Sequence, residues 1–264
     1  MLGMTILISH PESPSIPDQI ELYKSVGFDS VFIGSDTVHD LDELPMLADT
    51  ARICGIVLEA FHAPSGCLND LWAADDGKAK VSLRTLFDAI DACGAAKIGK
   101  MVMHTAGSPQ VEISECALSR FSELEAYADG KGVVICYENA NSMASLAAVM
   151  DNAKKPHGFC FDAGHQLCYS PDVPLLKQYG NRMLYTHLHD NDGMADRHWL
   201  PFDGARDWEA LAKMFAEIGY DGTLNLELAC HSSAAYRGMP FEDFVREAYE
   251  RAKRFEDMIG RNLS

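Results

Sequence analysis

Short apolar or β-branched runs alternate along this chain with longer stretches of helical period, and the alternation recurs eight times. It is the pattern of repeated strand–helix units around a parallel sheet. The expected strands are Thr5–Ser9, Ser30–Gly34, Val57–His62, Lys97–His104, Val133–Glu138, Gly158–Asp162, Met183–His189 and Thr223–Leu228. The expected helices are Ile16–Val26, Leu44–Cys54, Lys78–Cys93, Glu112–Ala128, Ser142–Asn152, Val173–Tyr179, Trp208–Ile218 and Phe241–Ile259. Eight such pairs predict an α/β fold, a closed (β/α)₈ TIM barrel.

The length agrees with one barrel, since 264 residues is close to the roughly 250 that such a barrel uses as a single domain. No long linker or block of charge divides the chain, so we expect a single domain over residues 1–264. Glycines follow six expected helices, where a left-handed residue is favoured: Gly27, Gly55, Gly94, Gly130, Gly180 and Gly219. The stretch from Asp190 to Asp207 is long and polar for a loop, which usually indicates function.

The composition excludes several kinds of partner. The chain has 39 acidic and 22 basic residues, a formal net charge of -17, and no run of Lys or Arg. This charge would repel nucleic-acid phosphates and anionic lipid surfaces, so we expect neither partner. The eight cysteines stand singly without a CxxC pair, which favours reduced core thiols. The sequence lacks a basic signal region and any apolar run of membrane-spanning length, so we expect a cytoplasmic protein.

Polar side chains follow the apolar residues at the ends of six expected strands. The six segments are Phe61-His62-Ala63-Pro64, Met103-His104-Thr105-Ala106-Gly107, Tyr137-Glu138-Asn139, Phe161-Asp162-Ala163-Gly164-His165, Thr186-His187-Leu188-His189-Asp190 and Leu226-Glu227-Leu228. A single strand-end His or Glu is more often a hydrogen-bonded or solvated group than a functional one. Six together reverse that expectation, because the C-terminal ends of barrel strands meet at one mouth.

The three carboxylates among these residues, Glu138, Asp162 and Glu227, would be expensive to bury together. Like charges in a partly dry cavity cost several kcal/mol unless they protonate or a cation neutralises them. A divalent metal ion neutralises them, and neighbouring imidazoles can complete its shell. The sequence therefore predicts a metal site at the barrel mouth.

These residues resemble those of the xylose isomerase-like barrels, a family that includes sugar-phosphate isomerases and epimerases and the endonuclease IV enzymes. The resemblance covers the chain from about Phe61 to Leu228 and depends on seven short motifs that come in the family's order. They are HAP at His62, HTAG at His104, ENAN at Glu138, DAGH at Asp162, HLHDND at His187, DRHWLPFDG at Asp196 and LEL at Glu227. Each motif is weak alone, and the ordered set is specific.

The resemblance implies a divalent ion, Mn²⁺, Zn²⁺, Co²⁺ or Mg²⁺. In the epimerase branch the matching positions hold one ion with Glu138, Asp162, His187 and Glu227. In the endonuclease IV branch further ligands build a three-zinc cluster, and the matching positions here are His62, His104, His165, Asp196 and His198. His189 lies two residues from His187 and so on the same strand face, which leaves open which of the two binds metal.

The resemblance also implies an isomerase or epimerase that acts on a small sugar, sugar phosphate or related polyol through an enediolate. Glu138 and Glu227 would transfer the protons from either side of the substrate. Candidate substrate contacts are His165, His62, His104, Arg197 and Trp72. Related barrels often form homo-oligomers. Two alternatives stay open, an endonuclease IV-like phosphodiesterase acting on abasic DNA and a non-catalytic metal-binding protein of the same fold.

Overall fold

The computed structural model describes residues 1–7, 13–230 and 233–263, and these form a parallel eight-stranded barrel. The strands are β1 Leu2–Thr5, β2 Ser30–Gly34, β3 Val57–His62, β4 Lys100–His104, β5 Val134–Glu138, β6 Gly158–Asp162, β7 Met183–His187 and β8 Leu224–Leu226. Neighbours in sequence are neighbours in the sheet, and β1 also pairs with β8. The ring closes between β7 and β8, where the Leu188 amide donates to the Asn225 carbonyl at 2.8 Å. The predicted fold class is confirmed.

The helices of the described residues lie between consecutive strands and after the last one. They are α1 Ile16–Val26, α2 Leu44–Cys54, α3 Asp76–Ala96, α4 Glu115–Lys131, α5 Met143–Asn152, α6 Ala163–Tyr169, α7 Leu175–Tyr179, α8 Trp208–Ile218 and α9 Phe241–Leu263. Short 3₁₀ turns occur at Leu41–Glu43, Leu68–Trp72, Gly180–Arg182 and Ala234–Tyr236. No helix in the described part of the chain is long and apolar enough to cross a membrane.

The first strand lies further toward the N-terminus than the sequence predicts. Its residues Leu2–Thr5 pair with β2 and β8, whereas the predicted Thr5–Ser9 extends past the observed strand, and Ile8 and Ser9 lie outside the described residues. Gly3 lies within this strand, where a Cβ atom would collide with the side chain of Ser30. A glycine reads as a break in the pattern, yet here the crowded barrel wall requires it.

Three of the six glycines predicted to be left-handed helix caps, Gly94, Gly130 and Gly180, do not have that conformation. Gly94 lies inside α3, and Lys97 with φ 58° is the left-handed residue that ends this helix, so β4 begins at Lys100. Gly130 lies inside α4, and Gly132 takes the left-handed position there. Gly180 has an ordinary right-handed conformation. The predictions hold at Gly55 and Gly219, which are left-handed caps, and Gly27 also has positive φ.

Two layers of apolar side chains support the mouth of the barrel. One fills the interior and consists of Phe32, Ala60, Val102, Cys136, Cys160 and Tyr185. The larger layer packs the outer face of the sheet against the helices. The interior layer lies directly under the strand ends, because the Phe32 ring contacts that of His187 at a centroid distance of 4.6 Å. The polar side chains at the mouth therefore stand on a dry, close-packed floor.

Candidate metal centre

The strand ends bring polar side chains together at one mouth of the barrel. His62, His104, Glu138, Asp162 and His187 end their strands, and Glu227 directly follows the last one. The sheet register sets them level, because His104 is opposite Glu138 and Asp162 is opposite His187 in the ladder. Their donor atoms and those of neighbouring residues form three groups, each of which could hold a metal ion.

The first group, the central group, consists of Glu138, Asp162, His187 and Glu227, with one donor atom from each within 4.8 Å of the others. His187 Nδ1 lies 3.0 Å from Glu138 Oε1 and 3.2 Å from Glu227 Oε2. Asp162 Oδ2 is more distant, at 4.0 Å from the same nitrogen. The structure thus places together the four residues that the resemblance implies as ligands of one ion.

The second group, the His62 group, consists of His62, His104 and Glu138. The Nε2 atoms of the two histidines lie 3.2 Å and 3.3 Å from Glu138 Oε2. The other oxygen of Glu138 faces His187, so this one carboxylate belongs to both groups. Its side chain is fully buried.

The third group, the loop group, consists of His165, His189, Asp196 and His198. Asp196 Oδ2 lies 3.1 Å from Nε2 of His165 and 3.1 Å from Nε2 of His198. His189 Nε2 lies 3.7 Å from Asp196 Oδ1. The sequence left open whether His187 or His189 is a ligand, and the structure places the two in different groups.

Backbone carbonyl groups orient three of these imidazoles. His62 Nδ1 donates to the Ala63 carbonyl at 2.8 Å, and His165 Nδ1 donates to the Asn139 carbonyl at 3.0 Å. His198 Nδ1 donates to the Glu227 carbonyl, also at 3.0 Å. Because a carbonyl can only accept, each Nδ1 carries a proton, so Nε2 is the atom of each ring that faces the carboxylates and could bind a cation in place of its own proton.

Asn139 is a structural partner of the site rather than a member of any group. Its side-chain NH₂ donates to the Asp162 carbonyl at 2.8 Å, and its amide oxygen accepts from the Asp162 backbone N–H at 2.8 Å. Asp162 in turn caps helix α6, where its Oδ1 accepts from the His165 backbone N–H at 2.6 Å. These bonds fix the positions of Asp162 and His165 at the mouth.

The concentration of charge shifts the pKa values of the buried groups. Burial alone would raise the pKa of Glu138, but the neighbouring charges of His187 and His104 hold it well below its ordinary value. Burial would lower the pKa of His187, but Glu227 and Glu138 outweigh burial and raise this pKa to about 9. Burial would also lower the pKa of His198, but the hydrogen bond to Asp196 and the charge of Glu227 outweigh burial and raise this pKa to about 10. The four carboxylates of the three groups thus require positive charge, from protons or from metal ions.

Two cavities flank the metal groups. One cavity has a volume of about 380 Å³, and Glu227 of the central group, His198 of the loop group and His62 line it. The polar residues Ser35, Asp36 and Thr37 also line this cavity. The other, of about 390 Å³, is lined by His104, His165, Asp196, Asn69, Asn141 and Tyr169 among others. Neither cavity has Lys or Arg among its described lining residues. Both suit a small polar ligand.

Two of the candidate substrate contacts lie outside these cavities. Arg197 is paired with Asp192, its Nε donating to Oδ2 at 3.2 Å. Trp72 is buried, packs on Phe121 and donates its Nε1–H to the Thr105 carbonyl at 2.8 Å. His62, His104 and His165 do line the cavities.

Sequence reasoning missed several cavity residues. Ser35, Asp36 and Thr37 follow β2, a strand end that was not among the six identified from the sequence. The signal was present, because the polar residues Ser35, Asp36 and Thr37 come one residue after the apolar Val31-Phe32-Ile33 run. Tyr169 was missed because the short helix α6, which carries it, has no apolar period and was not predicted.

Comparison with known proteins identifies a family. A family model described as xylose isomerase-like TIM barrel matches residues 20–255. The uncharacterized protein y4fM of Sinorhizobium fredii is 31% identical over 147 residues, which cover 53% of this chain and 46% of that protein. The uncharacterized protein MJ1311 of Methanocaldococcus jannaschii is 26% identical over 248 residues, 85% of this chain and 82% of that protein. The chain thus spans less than half of the first relative and most of the second.

Among solved structures, a D-tagatose 3-epimerase-like protein superposes with a TM-score of 0.76 at 20% identity, covering 100% of this chain and 99% of that one. At this identity the similarity shows the shared fold alone. It agrees with the complete barrel described above.

Proposed function

Because this chain belongs to the xylose isomerase-like TIM barrel family, we propose that it is a divalent-metal-dependent isomerase or epimerase. Its substrate is a small sugar, sugar phosphate or related polyol. The observation that carries the proposal is the central group, in which Glu138, Asp162, His187 and Glu227 place donor atoms within 4.8 Å of one another beside a polar cavity. The similarity to the D-tagatose 3-epimerase-like protein supports the same class of reaction.

The donor set of the central group fits a divalent ion. Three carboxylates and one imidazole are the ligands that Mn²⁺, Zn²⁺, Co²⁺ or Mg²⁺ accept in proteins. When bound, such an ion polarises a carbonyl and an adjacent hydroxyl of the substrate and stabilises negative charge that develops there. The Nδ1 atom of His187 lies between the carboxylates of Glu138 and Glu227, at 3.0 Å and 3.2 Å, so the donor atoms of these three residues face one another.

Glu227 is the better placed of the two glutamates to exchange a proton with a substrate. Its side chain is 19% exposed and lines the cavity of about 380 Å³, whereas Glu138 is fully buried. A carboxylate that faces a substrate carbon can take a proton beside the carbonyl to give an enediolate and return it. We assign Glu227 this role on the cavity side. Glu138 takes the opposite side of the substrate in the proposal, as the resemblance implies.

The histidines around the cavities bind substrate hydroxyl groups in this proposal. His62 lines one cavity, and His104 and His165 line the other, so a chain of hydroxyl groups could extend from the central group in either direction. His62 and His165 have fixed ring orientations through their bonds to backbone carbonyls. Fixed orientation favours stereochemical selection, since a misplaced hydroxyl would lose its partner.

The test is a screen for metal-dependent hydrogen exchange. The protein is loaded in turn with Mn²⁺, Co²⁺, Zn²⁺ or Mg²⁺ and incubated in D₂O with a panel of ketoses and ketose phosphates. Proton NMR should show isomerisation or epimerisation of at least one sugar in the presence of metal and none in EDTA. A Glu227→Gln sample made in the same way controls for contaminating isomerases. The proposal is wrong if no sugar in the panel reacts with any metal.

A second candidate is an endonuclease IV-like phosphodiesterase, and the observation that favours it is the presence of all three metal groups together. The charge of the chain opposes this function, because a formal net charge of -17 repels the phosphates of duplex DNA. The two cavities also have no Lys or Arg among their described lining residues to bind phosphate. An abasic-site duplex should therefore survive incubation with the zinc-loaded protein at low and moderate salt. Cleavage well above that by a Glu138→Gln control would favour this second function.

The proposal includes a reducing, cytoplasmic location. All eight cysteines are free in the structure, and Cys93, Cys136, Cys160 and Cys230 are buried. Free thiols in this number are usual where disulfides do not form. A homo-oligomeric state belongs to the proposal through the family resemblance alone, and size-exclusion chromatography with light scattering would test it.

A further inference from the structure

We propose that Asp190 is a positioning residue, whose buried carboxylate shapes the Asp190–Asp207 segment so that Asp196 and His198 face the barrel mouth before any ion binds. The proposal gives Asp190 no contact with metal or substrate. One of its tests rests on the metal binding proposed above for the loop group, and the other is carried out without metal.

The Asp190 carboxylate accepts four hydrogen bonds. Its Oδ1 accepts from the backbone N–H groups of Asn191 at 2.9 Å and Arg206 at 3.1 Å. Its Oδ2 accepts from the backbone N–H of Phe202 at 3.2 Å and from the indole N–H of Trp208 at 2.7 Å. The side chain is fully buried. Because a carboxylate has about four lone-pair sites, these donors leave none for an ion.

These donors come from both ends of the segment, so the carboxylate closes it into a loop. Asn191 directly follows Asp190, whereas Phe202 and Arg206 come 12 and 16 residues later. The backbone closes the same loop, because the Ala205 N–H donates to the Asn191 carbonyl at 2.8 Å. A carboxylate can be buried only with such donors, so the shape of the loop and the burial of this charge depend on each other.

Asp190 also fixes the backbone beside the loop group. Its N–H donates to the Trp199 carbonyl, and the Trp199 N–H donates to its carbonyl, both at 2.9 Å. Trp199 directly follows His198, so this pair of bonds holds the backbone next to the imidazole. His198 has φ 51° and Phe202 has φ 75°, conformations that non-glycine residues keep only when their surroundings hold them. Asp190 supplies part of those surroundings at both positions.

Gly204 shows how closely the segment packs around the carboxylate. A Cβ atom at this position would overlap Asp190 Oδ1 and the carbonyl oxygen of Asn191. Gly204 is itself exposed, so a small shift of the loop can relieve the overlap without opening the barrel core. Gly204→Ala therefore disturbs the same contact as a change of Asp190, and more mildly.

A positioning role and a purely structural role predict different metal contents in the folded protein. Ligands that the protein has already ordered bind an ion more tightly, because less freedom is lost on binding. Loss of the carboxylate should therefore weaken binding at the loop group and spare the central group, whose ligands lie at strand ends. A purely structural role would lower the stability of the barrel and leave both groups of the folded protein intact.

The test compares Asp190→Asn with Asp203→Asn, the same chemical change in the same segment. An amide at position 190 turns an NH₂ group toward two N–H donors, which then lose their acceptor. Asp203 accepts instead from the Tyr236 hydroxyl and from Arg251, both outside the segment, so its variant controls for the lost charge.

The first measurement is trypsin cleavage after Arg197 in EDTA, followed by mass spectrometry of the fragments. Cleavage should be at least about tenfold faster in Asp190→Asn than in wild type, because loss of a buried acceptor lets the segment open more often. Asp203→Asn should be cleaved at close to the wild-type rate. Equal rates for wild type and Asp190→Asn overturn the proposal.

The second measurement is the occupancy of each zinc position, from elemental analysis and anomalous diffraction of the zinc-loaded proteins. Asp190→Asn should lose the ion of the loop group and keep that of the central group, whereas Asp203→Asn should keep both. Unchanged occupancy of the loop group in Asp190→Asn contradicts the positioning role. Should Asp190→Asn fail to fold, Gly204→Ala carries both measurements, with the same direction of change expected. If even wild type holds no ion at the central group, the proposed function fails, and the cleavage rates in EDTA still decide the role of Asp190.

Discussion

Glu138 Oε1 lies 3.0 Å from Nδ1 of His187, while the other oxygen of the same carboxylate faces the rings of His62 and His104. One buried glutamate is thus shared between two groups of metal-type ligands. Glu227 belongs to the central group alone and is partly exposed to the cavity. The two glutamates, to which the family resemblance gives equal roles, therefore have different surroundings, and substitutions at the two positions should have different effects.

Glu138→Gln should lower the metal content more than Glu227→Gln does. An amide at position 138 removes a charged ligand from both groups, whereas an amide at position 227 removes one ligand of four from the central group only. We expect Glu138→Gln to lose at least one more ion per chain than Glu227→Gln, measured by elemental analysis after dialysis against a fixed free metal concentration. Equal metal contents would show that Glu138 is not shared. Circular dichroism of both variants controls for loss of fold.

Metal-free protein should lose stability as the pH rises from about 7 to about 10. On folding, the pKa of His187 rises from 6.5 to about 9 and that of His198 from 6.5 to about 10. A group whose pKa is raised on folding contributes stability that is complete below its unfolded pKa and disappears as the pH passes its folded pKa. Urea unfolding in EDTA at about pH 6, 8 and 10 should therefore give successively lower free energies of unfolding.

The matched control for this experiment is the metal-loaded protein. An ion replaces the protons as the positive charge beside the carboxylates, so the loss of stability over the same interval should be smaller. A metal-free stability that is constant or rises from about pH 7 to 10 would contradict the raised pKa values.

Gly164→Ala should destabilise the protein by about 1–3 kcal/mol, the usual cost of overpacking. The added Cβ would overlap the imidazole of His189, which is fully buried and has nowhere to move cheaply. Gly130→Ala is the control, because Gly130 lies within helix α4 with open space around its Cβ position. That change should stabilise by about 0.4–1 kcal/mol. Urea unfolding of both variants measures the difference, and equal effects would contradict the close approach of Gly164 to His189.

The barrel and the gathering of polar residues at its mouth could be predicted from the sequence because both depend on short-range patterns, whereas the family resemblance supplied the choice of Glu138, Asp162, His187 and Glu227 as one group. Each strand end combines an apolar run with a polar residue, as in Phe161-Asp162, and a parallel barrel brings all such ends together. Asp36 escaped notice because the β2 end has no metal-type histidine, although it follows an apolar run like the others.

Other features depend on side-chain contacts that the alternation of apolar and polar residues does not specify. Arg197 reads as a free cation in a long loop, but Asp192, five residues earlier, binds it. Trp72 reads as a cavity wall, but the carbonyl of Thr105 and the ring of Phe121 hold it in the core. His189 and His187 share one strand face in the sequence pattern, yet the regular strand ends at His187, and beyond the Leu188–Leu226 bridge Asp190 pairs instead with Trp199. No local pattern encodes these partners.

The last prediction concerns how hydrogen moves in the proposed reaction. If Glu227 takes a proton from the substrate carbon, wild-type protein in D₂O should place deuterium at that carbon during turnover. Glu227→Gln should fail to do so, because an amide of similar shape fills the site but cannot accept a proton. A positioned general base typically accelerates a reaction by about 10²–10⁴-fold, so turnover by the variant should be slower by a factor in that range.

Metal content must be measured in the same samples, because Glu227 is also a proposed ligand and a lost ion would imitate a lost base. His165→Asn, which alters a ring that lines the second cavity and does not belong to the central group, should reduce turnover less than Glu227→Gln. If the variant keeps its metal and loses both turnover and exchange, Glu227 is the base. If wild-type protein instead isomerises its sugar without taking up any solvent deuterium, hydrogen passes directly between the two carbons as hydride. Glu138 and Glu227 would then act only as ligands, and the proton-transfer roles assigned to them would be wrong while the fold stands.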